Sequence, residues 1–444
     1  MTRRPHKNRR GTVGVAGDFT AVNEHSEPVF NAVLPTQVVF NGLLGLDPGV
    51  SPMTTAHPRH IFLALLAGAS ALVVVHGLGR FAFTPLLPHL IDDGLLNLQQ
   101  GARLATWNYI GYLLGALLAL ALHAPQRMRI ALPLALLLNA ALTLAQGFTE
   151  DYQSLLLLRL ANGISNGVVF VQAPALVLEW LAQQQRTRLS GLIYLGLGGG
   201  LLLSSGVADW PAAWVSGAQR WWPAAALALP IALLSARLLA RLKVQPHASA
   251  SRQTTSKLFD RASTPLFLAY AGAGLGYILP MTFLPALAHE QLPAGDPLLS
   301  GAWRWTALAS LASIALWNHL GARLGDRRAL LVNYATQALG AAAPLLWPGQ
   351  FGVLLCAVLV GGSFIGSVFL TQRLARSLHP HQGPRLSAAL IALYGGSQLL
   401  GPWLAEQWLA QGGSLGQSFA LGAAALLWAL AWSFAVPVLL SERR

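Results

Sequence analysis

Long apolar runs separated by short polar turns constrain this chain more than any other feature. A helix that spans a bilayer needs about 20 mainly apolar residues, and we find twelve such runs between residues 61 and 440. Their predicted bounds are 61–91, 102–122, 130–148, 153–181, 189–208, 221–242, 265–288, 302–322, 328–347, 351–374, 386–409 and 416–440. Only 10% of the residues are charged, whereas soluble domains usually contain about a quarter. The sequence therefore predicts an all-α membrane protein with twelve transmembrane helices.

A segment of the first run recurs in the seventh. Residues 77–88 read GLGRFAFTPLLP, and residues 274–285, 197 positions later, read GLGYILPMTFLP. The same offset relates residues 188–190 to 385–387 (both RLS) and residues 198–199 to 395–396 (both GG). A shared spacing indicates internal duplication. We therefore expect two parallel six-helix repeats, 57–242 and 264–440, joined by a linker at 243–263.

The N-terminal segment, residues 1–52, differs from the rest of the chain. It is polar, carries both signs of charge and contains no apolar run long enough to span a membrane. We expect either a disordered tail or a start codon assigned upstream of a natural start at Met53. Further along, the single cysteine, Cys356, leaves no partner for an intrachain disulfide and no cysteine-based metal site.

The distribution of basic residues predicts the orientation of the chain. Lys and Arg concentrate in the loops after the even-numbered spans, and the opposite loops contain only Arg103, Arg220 and Arg304. Cytoplasmic loops carry such an excess, so we expect a multi-pass protein of the bacterial inner membrane with both termini cytoplasmic. Although the net charge is +13, the basic residues form no single patch. We expect the lipid bilayer and a small molecule as partners, no nucleic acid, and a monomer.

Two motifs resemble those of a known superfamily. The fourth span contains LLLLRLANGISNG, with Arg159, Gly163 and Gly167 at regular spacing, and the loop after the eighth span reads GARLGDRR. The chain thereby resembles the major facilitator superfamily. Residues 77–88 together with WNYIGYLLGALLA at 107–119 resemble its YbfB/YjiJ-like branch. The resemblance implies a secondary transporter without a cofactor, with spans 1, 2, 4, 5, 7, 8, 10 and 11 around a central cavity.

The sequence departs from the superfamily pattern at two places. The loop after the second span, HAPQRMR at 123–129, lacks the acidic residue of the loop signature. The fifth span reads LGLGGG at 195–200, without the proline that drug/proton antiporters commonly have.

Arg80 lies deep in the first span, where a cation is costly and indicates a functional site. His76 and Thr84 lie one turn away on either side, on the same helix face, and Tyr277 takes the equivalent position in the second repeat. The functional interpretation is that Arg80 binds an anionic substrate, because its forked guanidinium suits a carboxylate. The alternative is that it donates to carbonyls freed by the nearby glycines and proline, or extends to the membrane surface.

Other polar side chains accompany Arg80 on the predicted cavity spans. The resemblance implies that Arg159 faces the cavity and assists substrate or proton handling, although it could instead extend to the membrane surface. The remaining substrate-binding candidates are His76, Asn108, Tyr112, Asn162, Asn166, Tyr194, Tyr277, Asn318, Tyr394 and Gln398. Each alone could equally serve helix packing. Together they predict a neutral to cationic cavity.

Acidic residues are absent from the middle of every predicted span, and Glu406 lies towards the end of the eleventh. Many proton-coupled carriers use a buried carboxylate. Here His76 and His319 are the candidates for proton coupling, because histidine titrates near neutrality.

The loop after the eighth span contains the candidate gating residues Gly321, Asp326 and Arg327. We expect Asp326 to pair with arginines of this loop as a charge latch that favours one state of the gate. The alternative is that the loop is basic only because it lies in the cytoplasm.

We predict a secondary active transporter that moves a small organic solute by alternating access. Coupling to protons is one option for its energy source. An organic anion is favoured because no buried acid matches Arg80 and Arg159. The alternatives are an efflux carrier for apolar or cationic compounds and a non-transporting membrane sensor with the same fold. An enzyme would need convergent catalytic groups, and the sequence predicts no catalytic residue and no metal site.

Overall fold

The computed structural model describes residues 57–122, 125–244, 259–378 and 383–437, and all regular structure within these ranges is helical. The predicted tail, 1–52, and most of the predicted linker, 243–263, lie outside the described residues. We refer to residues 57–244 as the first group of helices and to residues 259–437 as the second group.

The helices follow the apolar runs closely. In the first group they are α1 (Pro58–Leu72), a π-helical segment (Val73–Phe81), α2 (Phe83–Asp92), α3 (Leu98–Ala121), α4 (Pro125–Ala145), α5 (Tyr152–Gln183), α6 (Leu195–Ala208) and α7 (Trp222–Ala240). In the second group they are α8 (Thr264–Gln291), α9 (Leu298–Leu324), α10 (Asp326–Leu346), α11 (Gln350–Gly361), α12 (Phe364–Leu378), α13 (Gly383–Ala410) and α14 (Leu415–Phe434).

Ten helical stretches among the described residues are long and apolar enough to cross a membrane. The prediction of an all-α protein with many apolar helices is therefore confirmed. Helices α9 and α13 contain 27 and 28 residues, about 40 Å at 1.5 Å per residue, but they are not among these ten. Twelve spans and the two-repeat arrangement stay predictions.

The first copy of the duplicated segment departs from α-helical geometry. A nine-residue π-helical segment, Val73–Phe81, joins α1 to α2, whereas the second copy lies within the continuous helix α8. π-Helical turns are uncommon and occur frequently at functional sites. Here Gly77 permits close packing against α6, because a Cβ at this position would overlap the backbone of Gly200.

Glycines also bring α3 and α5 into close contact. A Cβ on any of four glycines in this pair of helices would overlap backbone atoms of the facing helix. The four are Gly111, Gly115, Gly163 and Gly167. Small residues at such positions let membrane helices approach closely, so this pair forms a rigid wall behind the π-helical segment.

The helix ends define two faces of the bundle. The Asp93 face consists of the turns at 93–97, 149–151, 209–216, 292–297, 347–349 and 411–414. The Arg186 face consists of the opposite helix ends, with described turns at 184–186, 241–244 and 324–326. The most extensive contacts between the two groups are those of α2 with α8, α3 with α13 and α6 with α9.

Candidate functional site

Arg80 lies at the centre of the bundle, where the two groups meet. Its side chain is buried, and its Nη2 donates a hydrogen bond to Gln398 Oε1 in α13 at 2.7 Å. The guanidinium carbon lies 4.2 Å from the ring centre of Tyr109 and 4.6 Å from that of Tyr112. Its Nε has no hydrogen-bond partner among the described residues. The two rings cover the guanidinium, so a ligand would approach its edge.

His76 lies beside this cation. Its Nε2 is 3.5 Å from Arg80 Nη1, and its ring stacks on Phe170 with a centroid distance of 4.2 Å. Tyr112 contacts the same imidazole edge-on at 5.9 Å. The imidazole is therefore held between aromatic rings, and its Nδ1 has no hydrogen-bond partner in the described part of the chain.

Helix α5 supplies donors to the backbone of the π-helical segment. Arg159 Nη1 donates to Gly79 O at 3.1 Å, and Asn166 Nδ2 donates to Val75 O at 2.5 Å. Satisfying carbonyls of this segment was one alternative that the sequence offered for Arg80. In the structure Arg159 makes such a bond, while Arg80 contacts the side chains of His76 and Gln398.

Asn108 and Asn162 also contribute to packing of the first group. Asn108 Nδ2 donates to Arg159 O at 3.0 Å. Asn162 Nδ2 donates to Thr143 Oγ1 at 3.2 Å, and Asn139 Nδ2 donates back to Asn162 O at 3.0 Å. These bonds join α3, α4 and α5 next to Arg80. Whether either asparagine also contacts substrate stays a prediction.

The second group faces Arg80 with stacked aromatic rings. Tyr277 stacks on Tyr394 at 5.4 Å between ring centres and on Phe364 at 5.7 Å. Tyr394 stacks in turn on Tyr270 at 4.3 Å. Because Gln398 lies one helical turn after Tyr394 in α13, the partner of Arg80 extends from the same face as these rings.

Three further predicted site residues have no described hydrogen bond or ring contact with Arg80. Tyr194 is half-buried at the end of the 3₁₀ segment Thr187–Tyr194. Asn318 accepts a hydrogen bond from Arg373 Nη1 at 3.0 Å near the Arg186 face. His319 is exposed on α9. The described contacts do not bring any of these residues to Arg80.

Of the predicted gating residues, Asp326 forms an ion pair with an arginine outside its own loop. Asp326 pairs with Arg373 of α12, with 2.9 Å between Oδ1 and Nη2. Gly321 makes room for this carboxylate, since a Cβ there would lie 2.9 Å from Asp326 Oδ1. Arg327 instead donates to Phe434 O at 2.6 Å. Sequence reasoning missed Arg373 because 47 residues separate it from Asp326.

A set of bonds between the two groups was also missed. Together with Arg80–Gln398, six side-chain hydrogen bonds and ion pairs join the groups between the level of Arg80 and the Asp93 face. These pairs are Thr84–Met281, Tyr109–Thr282, Trp303–Ser204, Arg103–Glu406, Arg304–Asp209 and His289–Asp92. The groups are therefore joined on the Asp93 side of Arg80.

Glu406 is the buried acid of this set. Its side chain is 6% exposed, and Arg103 Nε donates to its Oε1 at 2.5 Å. Arg103 is 44% exposed. The pair therefore joins α3 to α13 through a buried carboxylate and a partly hydrated guanidinium. The only signal in the sequence was a lone acid near the end of a span, which does not reveal its burial.

Charged groups in the turns of the Asp93 face are also paired. Arg220 hydrogen-bonds the Asp93 carboxylate and holds its pKa below the usual range. Burial raises the pKa of Asp209 even though Arg304 Nη2 lies 2.6 Å from its Oδ2.

Comparisons with known proteins agree with this architecture. A search of curated proteins gives no significant match. The structure is similar to a D-xylose-proton symporter, with a TM-score of 0.62 and 14% identity over 83% of this chain and 96% of that one. It is also similar to the nucleoside transporter NupG, with a TM-score of 0.62 and 13% identity over 84% of this chain and 100% of that one.

At these identities the likeness shows the fold alone. Residues 72–433 match the family model described as "Uncharacterised MFS-type transporter YbfB". That match spans most of the chain, and the fold and family are those of transporters rather than enzymes. The chain therefore belongs to this YbfB family of major facilitator transporters.

Proposed function

We propose that this membrane transporter moves a small organic anion by alternating access and binds its carboxylate at Arg80. The observation that carries the proposal is that the buried Arg80 guanidinium has an incompletely paired edge. Nε and Nη2 form the edge that can bind both oxygens of a carboxylate. At that edge Nη2 donates to a neutral amide oxygen, and Nε has no partner among the described residues.

The charge around Arg80 supports an anionic ligand. A buried cation is costly unless it is paired. No described carboxylate lies within ion-pair distance of Arg80, whose neighbours are aromatic rings and Gln398. A substrate carboxylate at this edge would supply the missing charge and displace the Gln398 amide oxygen. His76, 3.5 Å away, is the residue from which we would expect any proton coupling at this site.

The bonds between the groups support alternating access. These bonds lie between Arg80 and the Asp93 face, which supports a transporter that is closed on that side. Thr84 Oγ1 donates to Met281 O at 3.1 Å, and these two positions are separated by the repeat offset of 197. A residue that contacts its own repeat equivalent lies near an axis relating the repeats. This supports two parallel repeats, and α9 and α13 would complete the twelve spans.

Orientation follows from the basic loops. If the Arg186 face is cytoplasmic, as the positive-inside rule predicts, the structure is closed towards the outside. Both termini would then be cytoplasmic and the protein would reside in the inner membrane.

The test is a binding screen on purified protein by thermal unfolding. The panel contains organic acids, sugars, amino acids and drug-like cations. A ligand that binds the folded protein raises its apparent stability according to its occupancy. We expect organic acids to stabilise the wild type. Arg80→Lys keeps the charge but loses the two-pronged edge, and we expect it to weaken binding at least about tenfold, since a charge-assisted hydrogen bond contributes about 1.5–3 kcal/mol.

Arg186→Lys is the matched control, because it makes the same change at an exposed arginine and should bind like the wild type. Equal stabilisation of Arg80→Lys and wild type by acids would assign Arg80 a structural role. Stabilisation by neutral or cationic compounds alone would favour the efflux alternative instead.

A further inference from the structure

A groove at the Arg186 face lies outside the proposed transport site. It is a shallow groove bounded by α4, α5 and α7 and open at its mouth. The lining residues are Met128, Arg129, Leu132, Pro133, Leu176, Leu239, Ala240, Leu242 and Val244. Eight of these nine side chains are apolar, and Arg129 supplies the only charge.

The groove opens where a bilayer would begin. It lies at the start of α4 and at the end of α7, where two candidate spans end, so we place its mouth at the level of the membrane surface. Only 33% of the span Gln126–Phe148 is buried, the smallest share among the ten candidate spans. Its neighbours Ile130 and Leu134 are 71% and 61% exposed. This side of the first group therefore faces lipid.

The mouth of the groove is basic. The exposed cations at this end of α4 and α7 are Arg127, Arg129, Arg237, Arg241 and Lys243. No described carboxylate forms an ion pair with them. In addition, Pro133 cannot donate to the carbonyl four residues earlier, which leaves the Arg129 carbonyl without its helical bond. The site thus offers unpaired positive charge and a backbone acceptor above an apolar channel.

We propose that this groove binds one anionic phospholipid, with the phosphate at Arg129 and an acyl chain along the half-buried Met128 and Leu176. Basic pockets between membrane helices bind anionic headgroups for this reason. The segment that continues from Val244 is a poorer occupant, because residues 245–258 contain Arg252 and Lys257 and no acid. Its charge would repel the basic rim, whereas a lipid phosphate would complement it.

The experiment uses the full chain, purified and delipidated in a neutral detergent. Thermal unfolding is measured with added phosphatidylglycerol and with phosphatidylcholine of the same acyl chains. We expect phosphatidylglycerol to raise the midpoint of the wild type clearly more than phosphatidylcholine does. Arg129→Gln should weaken the phosphatidylglycerol effect about tenfold in lipid concentration, as expected for a lost charge-assisted contact.

Arg186→Gln is the matched control, since it removes one positive charge from the same face outside the groove. It should respond to phosphatidylglycerol like the wild type. Equal responses of the two variants would show a general charge effect and overturn the site, as would equal responses of the wild type to the two lipids.

Inorganic phosphate should not replace the lipid. If it stabilised the wild type as well as phosphatidylglycerol, an acyl chain in the groove would be disproved. Native mass spectrometry provides a second measurement on folded protein. We expect one retained phosphatidylglycerol on the wild type and on Arg186→Gln, and loss of that lipid from Arg129→Gln; retention by Arg129→Gln would also overturn the proposal.

Discussion

The ion pair between Arg103 and Glu406 offers a direct test of closure at the Asp93 face. Removing one partner of a fully buried pair costs about 3–5 kcal/mol, whereas an exposed pair contributes about 0–1 kcal/mol. Glu406 is 6% exposed and Arg103 is 44% exposed, so this pair falls between these limits. We expect Arg103→Met to destabilise the closed arrangement by about 1–3 kcal/mol, a population shift of roughly 5- to 150-fold.

The two single variants should differ in magnitude. Arg103→Met leaves a buried carboxylate without its partner. Glu406→Gln removes the charge but keeps an oxygen that can accept from Arg103, so its effect should be smaller. The double variant should shift less than Arg103→Met alone, because no unpaired carboxylate remains. This departure from additivity is what a double-mutant cycle measures.

Spin labels can report the opening. Cys356 is the only cysteine in the chain and is buried, so introduced cysteines would be the accessible labelling sites. Gln153→Cys and Gln411→Cys place exposed labels on the two groups near the ion pair. We expect a longer label–label distance to gain population in Arg103→Met. Distance distributions identical to the wild type in all three variants would refute the reasoning, as would additive effects in the double variant.

Three further predictions concern packing, pH and the latch. Gly163→Ala should lower the free energy of unfolding by about 1–3 kcal/mol, because its Cβ would overlap the backbone of the facing helix. Gly199→Ala, whose Cβ would meet nothing within 4 Å, should raise it by up to about 1 kcal/mol through helix propensity. Thermal unfolding compares the two variants. Because Arg220 lowers the pKa of Asp93, their stabilisation should be present above the ordinary aspartate pKa and lost as the pH falls through the lowered one; Asp93→Asn should lack this dependence in unfolding scans from about pH 7 to pH 3. Asp326→Asn should change the ratio of the two gate states in the spin-label assay, and an unchanged ratio would reject the latch.

Some site residues could be anticipated because their types are unusual in a membrane span. A buried arginine or histidine is conspicuous in an apolar run, so Arg80 and His76 were identifiable from their positions. Their partners were not, since Gln398 is 318 positions from Arg80. The offset of 197 predicted the duplication, yet the first copy is π-helical and the second lies in a continuous α-helix.

The sequence by itself determined the helical membrane architecture, since the length and polarity of each apolar run dictate whether it can cross a bilayer. It also singled out Arg80, because a charged side chain in the middle of an apolar span is removed from water at a high free-energy cost. Only the tertiary structure decided that Arg159 serves the backbone of the π-helical segment while Arg80 contacts Gln398 across the groups. Only the structure showed that Glu406 is buried against Arg103. Such pairings depend on the packing of helices distant in sequence, and local periodicity carries no information about them.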